Sequence, residues 1–142
     1  MAGYKATARI EIEASPKEVW SALIEPDRIK EYMFGSQVET DWEPGSPIVW
    51  KGEYEGKVYE DKGEVVAIDP PRRLEVAHFS PLSGEEDVPA NYHTLVYELE
   101  DRGDKTQVSL TQDNNPNEEA AEHSRANWET MLQGLKKVVE RS

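Results

Sequence analysis

The chain ends in a segment that dictates much of what precedes it. Apolar residues recur at Trp128, Met131, Leu132, Leu135, Val138 and Val139, offsets of 0, 3, 4, 7, 10 and 11 that trace one stripe along an α-helix. Asn117 suits the capping position, and Glu118 and Glu119 follow it at the positive end of the helix dipole. Lys136, Lys137 and Arg141 lie at the negative end, where cations are favoured. A helix of roughly 23 residues spans ~35 Å, enough to cross an entire sheet. A stripe of that length must be buried against another layer.

The sequence supplies that layer. Ala6, Ala8, Ile10 and Ile12 alternate with Thr7, Arg9, Glu11 and Glu13, the pattern of a half-buried strand. Ser15, Pro16 and Glu18 then form a helix start of the capping-box type, Val19, Trp20 and Leu23 make an apolar stripe, and Pro26 ends it. Asp27 opens a second short helix with Ile29, Tyr32 and Met33 inward. From residue 36 to 114 the pattern is strand and turn, punctuated by Gly45, Glu55-Gly56, Asp69-Pro70-Pro71, Ser83-Gly84 and Arg102-Gly103-Asp104. One predicted inner face carries Ile48, Trp50, Gly52 and Tyr54. It continues across the hairpin as Tyr59, Asp61, Gly63, Val65 and Ala67. Further inner sets are Leu74, Val76 and His78, then His93, Leu95, Tyr97 and Leu99, then Val108, Leu110 and Gln112. The expectation is an α+β domain spanning 1–142. A curved antiparallel sheet of about six or seven strands has two short helices after its first strand and a long terminal helix across it.

Composition limits the functions such a fold can serve. The net charge of −13, from 16 basic and 29 acidic side chains, speaks against a nucleic-acid groove, which needs clustered Lys and Arg, and against anionic membrane surfaces. Without cysteine there is no disulfide framework, thiolate nucleophile or Cys-type zinc site. No signal peptide or apolar run of spanning length is evident, so a cytoplasmic protein is expected, monomeric or homodimeric. The acidic excess reads first as a solvated exterior.

The four Trp, six Tyr and two Phe carry more functional information. Trp20 reads as core, with Val19 and Leu23 beside it. Trp50, Tyr54, Tyr59 and Tyr97 read as the wall of a pocket, since a large apolar body with a polar tip suits a site with few orienting hydrogen bonds. Trp128 fits either core or cavity wall. Gln112 is an inward amide that needs partners, either a ligand or loop backbone near the start of the terminal helix. No phosphate loop, nucleophile elbow or His-Glu-x-x-His is present, and no metal or cofactor is called for. The only catalytic arrangement to weigh is a general-base pair of His78 and Asp61; the bland alternative is a hydrogen-bonded structural histidine.

Several motifs resemble a known superfamily. Ser15-Pro16-Lys17-Glu18-Val19-Trp20-Ser21-Ala22-Leu23 followed by Pro26 is similar to the opening of the START-like, helix-grip (Bet v 1-like, SRPBCC) superfamily. So are Trp42-Glu43-Pro44-Gly45, the run from Gly63 to Leu74, Leu110-Thr111-Gln112, and Trp128 to Lys136. Within it the chain resembles the branch related to the C-terminal domain of the activator of Hsp90 ATPase. His78 stands where many relatives carry Trp, and Ser80 to Ala90 forms a long acidic loop. The resemblance implies a helix-grip fold whose cavity binds a small hydrophobic molecule such as a lipid, polyketide or flavonoid-like compound. Its expected lining is Trp50, Tyr54, Tyr59, Val65, Val76, His78, Leu95, Tyr97, Leu110, Gln112, Trp128, Met131, Leu132 and Leu135. The two short helices and the Ser80–Ala90 loop would control access. The resemblance also implies two alternatives: a chaperone-associated, stress-response module with a protein partner, and a cyclase- or hydrolase-type enzyme using the same cavity.

Overall fold

The computed structural model describes residues 4–33, 35–54, 56–80 and 86–141. Strand β1 (Tyr4–Ile12) leads into helices α1 (Pro16–Ile24) and α2 (Pro26–Tyr32). Strands β2 (Gln37–Glu39), β3 (Pro47–Tyr54), β4 (Lys57–Asp69), β5 (Arg73–Phe79), β6 (His93–Asp101) and β7 (Thr106–Asn115) follow, and α3 (Glu118–Arg141) ends the chain. All seven strands pair antiparallel in one open sheet ordered β1-β7-β6-β5-β4-β3-β2. This is the expected α+β architecture.

The local causes are visible at each helix. Ser15 Oγ accepts from the Glu18 amide at 3.3 Å, and Pro16 occupies the first turn, where its missing N–H costs nothing. Helix α2 starts at Pro26 rather than Asp27 and has no side-chain cap. The fixed φ of proline therefore sets the start of α2 in place of the expected aspartate. Asn117 Oδ1 accepts from the Ala120 amide at 2.8 Å and caps α3. Met131, Leu132, Leu135, Val138 and Val139 are all buried in the core. They pack with Ala8 and Ile12 of β1 and with Ile29 and Tyr32 of α2, so α3 lies over the β1 side of the sheet and the short helices close the space beside it.

The register carries the inner face across the strands. Ala8, Leu110, Tyr97 and Leu74 pair in one row, and Gln112, Leu95, Val76 and Val65 in the next. A bulge in β4 breaks the expected alternation: Val65 pairs with Val76, but Ala67 pairs with Glu75 and Ile68 with Leu74. Ala67 therefore faces outward and Ile68 takes the inner position, while Val66 is left 42% exposed. The run Val65-Val66-Ala67-Ile68 has no polar residue to mark the phase, so periodicity alone could not find the slip.

Candidate functional site

Beyond Gly63 the inner face stops being filled. Trp50 of β3 stands directly opposite Asp61 of β4, and Gly63 opposite His78 of β5. A Cβ on Gly63 would lie 1.7 Å from the Ala77 carbonyl oxygen, so β5 approaches β4 as closely as only glycine permits. His78 Nε2 thereby reaches Asp61 Oδ2 at 3.0 Å, and the imidazole and the Trp50 ring meet in a T-shaped contact at 5.0 Å between centroids. One row further, Tyr59 lies over Gly52, where a Cβ would come within 2.6 Å of its hydroxyl. The Tyr59 hydroxyl bonds to Ser36 Oγ, tying β4 to the segment after α2.

At the other end, a bulge sets the polar groups. Tyr4 pairs with Asn115 but Ala6 with Gln112, and Asn114 adopts the left-handed φ of 59° that asparagine tolerates. Gln112 and Asn115 can then both turn inward. Gln112 Oε1 accepts from Trp128 Nε1 at 2.6 Å, and its Nε2 donates to Asn115 Oδ1 at 3.2 Å. Ser124 Oγ donates to the same Asn115 oxygen at 2.9 Å, and Asn115 Nδ2 donates to the Tyr4 carbonyl at 2.9 Å. The partners of Gln112 thus include Trp128 and Ser124 of α3 and Asn115 of β7, and the amide is satisfied from within the protein.

Between these two ends is a cavity of about 510 Å³. Its wall includes Trp50, Tyr59, Asp61, His78, Leu95 and Tyr97 from the sheet, with Gln112 at one end and Trp128 and Met131 from α3. Met33, Ser36, Ser124, Asn127 and Thr130 complete it. Asn127 and Thr130 are exposed and form part of the rim. Burial raises the Tyr97 hydroxyl well above the usual tyrosine range, so it keeps its proton at neutral pH. No lysine or arginine lines the cavity among the described residues.

Of the residues expected to bind, Val65, Val76, Leu110, Leu132 and Leu135 are not part of this wall; each belongs to the core cluster and is no more than 2% exposed. They share the inner face with the cavity wall and belong to the same buried core cluster. The side chain of Tyr54 and residues 81–85 of the expected access loop lie outside the described residues. The later part of that loop is anchored: Asp87 pairs with Lys62 and accepts from the Tyr92 hydroxyl, and Tyr92 stacks on Phe79 at 5.1 Å. The Lys62 hydrogen bond, then that of Tyr92, holds the Asp87 carboxyl below its ordinary value. Ser124 and Asn127 are discoverable from sequence, since they extend the Trp128–Met131 stripe by one turn. Met33 is among the inward residues expected for α2, whereas Ser36 is not legible, because the turn after α2 decides where it points.

His93 stands opposite His78 in the β5–β6 ladder, but its Nδ1 lies 2.9 Å from the Asp113 carbonyl. No group of three or more His, Cys, Asp or Glu able to hold a metal occurs among the described residues. No helix among them is long and apolar enough to cross a membrane.

Known proteins share this architecture. The family described as "Activator of Hsp90 ATPase homolog 1-like protein" matches residues 13–140. ChR145 from Cytophaga hutchinsonii is 47% identical, with a TM-score of 0.87 over 99% of this chain and 97% of its own. MLL2253 from Mesorhizobium loti is 17% identical, with a TM-score of 0.79 over 98% of both chains. A structure of the Aha1 dimer from Colwellia psychrerythraea is 22% identical, with a TM-score of 0.75 over 96% of both chains. No curated protein matches the chain.

Proposed function

The chain belongs to the activator of Hsp90 ATPase homolog 1-like family, and from that premise we propose that it binds a small hydrophobic or aromatic molecule in the cavity between the sheet and α3. The observation that carries this reading is the cavity itself. At about 510 Å³ it falls within the ordinary size range of small-molecule sites, and Trp50, Tyr59, Tyr97 and Trp128 give its wall several large aromatic surfaces. Burial of apolar ligand surface would contribute ~25 cal/mol per Å². The polar groups at the two ends would set orientation. Ligand access would run past Met33, Asn127 and Thr130.

A thermal-shift or native mass-spectrometry screen against lipids, flavonoids and polyketides tests the proposal. A stabilising compound is expected whose effect Trp128→Ala removes. A screen without a single stabilising compound, or a hit indifferent to Trp128→Ala, counts against it.

The family supports a second reading, in which the chain is a cytoplasmic, chaperone-associated module that docks a protein through its acidic exterior. The net charge of −13 favours such a partner being basic. That association would weaken with salt and would be unchanged in Trp128→Ala, so the same variant separates the two readings.

A further inference from the structure

The cavity's two polar ends differ in one respect. Gln112, Asn115, Ser124 and Trp128 satisfy one another, and the Ser36 hydroxyl is matched to that of Tyr59. Asp61 is not matched. Its Oδ2 meets His78, but Oδ1 is sealed from solvent without a hydrogen-bond partner, and no other buried side-chain atom among the described residues is in that position. An ionised carboxylate offers about four acceptor sites, so one neighbour leaves most of its capacity unused. The side chain is 17% exposed and forms part of the cavity wall. The terminal torsion of aspartate is soft, so a modest turn of the carboxylate, with Oδ2 still beside His78, would bring Oδ1 within reach of a donor in the cavity.

We propose that the ligand of this cavity carries a hydrogen-bond donor, a hydroxyl or an ammonium group, that docks on the Asp61 carboxylate, and that anionic ligands are rejected there. The inference rests on the small-molecule reading above and narrows its substrate class. Any molecule that fills this end displaces the water that would otherwise solvate the carboxylate, and one without a donor leaves a buried charge with a single hydrogen bond. A fatty-acid headgroup would add like-charge repulsion, since no lysine or arginine among the described residues lines the wall. Trp50, the His78 imidazole and Tyr59 surround this end with rings, which favour either an aromatic alcohol or a cation above a ring face. His78 acts as a positioning residue, holding the carboxylate by its 3.0 Å contact.

Four probes on one scaffold test the donor rule: naphthalene, 2-naphthol, 1-naphthylmethylammonium and 2-naphthoate. Binding is read by NMR titration of the tryptophan indole N–H signals. At least one donor probe is expected to bind about tenfold or more tighter than naphthalene, with 2-naphthoate the weakest. Asp61→Val should erase the donor's advantage without weakening naphthalene. Asp61→Asn should erase it for the ammonium and spare most of it for the naphthol, so the two arms separate a charged from a neutral ligand. If all four probes bind alike, or the naphthoate binds best, the donor rule is overturned while small-molecule binding stands. If none binds, both fall. Should Asp61→Val fail to fold, the wild-type ranking and Asp61→Asn still decide.

Discussion

Two glycines control the residues that could do chemistry here, and they do so to different degrees. At Gly63 the atom that a side chain would strike is the Ala77 carbonyl oxygen, 1.7 Å from the would-be Cβ. Backbone in a paired strand cannot yield without opening the β4–β5 ladder. At Gly52 the obstruction is the ring of Tyr59, which can swing aside. Gly63→Ala should therefore cost about 3 kcal/mol and Gly52→Ala about 1 kcal/mol, within the usual range for overpacking. Chemical denaturation checks the ordering. The histidine NMR signals should report loss of the Asp61–His78 contact in the first variant alone. Alternation places both glycines on the inner face, but only the register shows that one seats His78 and the other seats Tyr59.

At the scale of elements, α3 is the most self-contained part of the molecule. Its cap, its stripe and its charged ends are all written in consecutive residues. Because Asn117 Oδ1 satisfies the Ala120 amide, Asn117→Ala should destabilise the protein by about 1 kcal/mol and Asn117→Gly by only a few tenths, measured by thermal unfolding. The first turns carry a further local set, in which Arg125 bonds both Glu122 and Glu129 and holds the Glu122 carboxyl below its ordinary value. These groups lie outside the buried core, with Glu122 exposed and Arg125 and Glu129 half-buried, so their loss should fray the helix start and leave the core intact. Strands are less legible because they depend on neighbours. The β4 bulge turns Ala67 outward and Ile68 inward, and the short β2 is held by pairing with β3, not by any pattern of its own.

For the molecule as a whole, the buried tyrosines predict how stability responds to base. Burial raises Tyr97 and, with Tyr97 as a smaller contributor, Tyr32 above the ordinary tyrosine value of 10.0. Tyr32 also donates to the Ala22 carbonyl at 2.8 Å. A group whose folded pKa is raised stabilises fully below its unfolded value, and the contribution is lost as pH climbs toward the folded one. The melting temperature should therefore hold up to about pH 10 and fall steeply above it. Tyr97→Phe should soften that fall while leaving the neutral-pH value nearly unchanged, as melting curves between about pH 8 and 11 would reveal. The net charge of −13 acts in the same direction but is screened by salt, so the tyrosine effect is the part that survives high ionic strength.

The one-dimensional patterns are sufficient for the order of elements, the inner faces of most strands and the helix that covers them. Alternation and helical periodicity are local, and burial imposes them residue by residue. They cannot separate filled core from open cavity. Val65, Val76 and Leu110 share their faces with Trp50, Asp61 and Tyr97, yet the first three are packed and the others line a cavity of about 510 Å³. That distinction depends on how far apart α3 and the sheet stand at each point, which is set by contacts between residues far apart in the chain. It also depends on the close approach at Gly63, which brings His78 to Asp61. Packing distance is a property of pairs of elements, and only the assembled fold contains it.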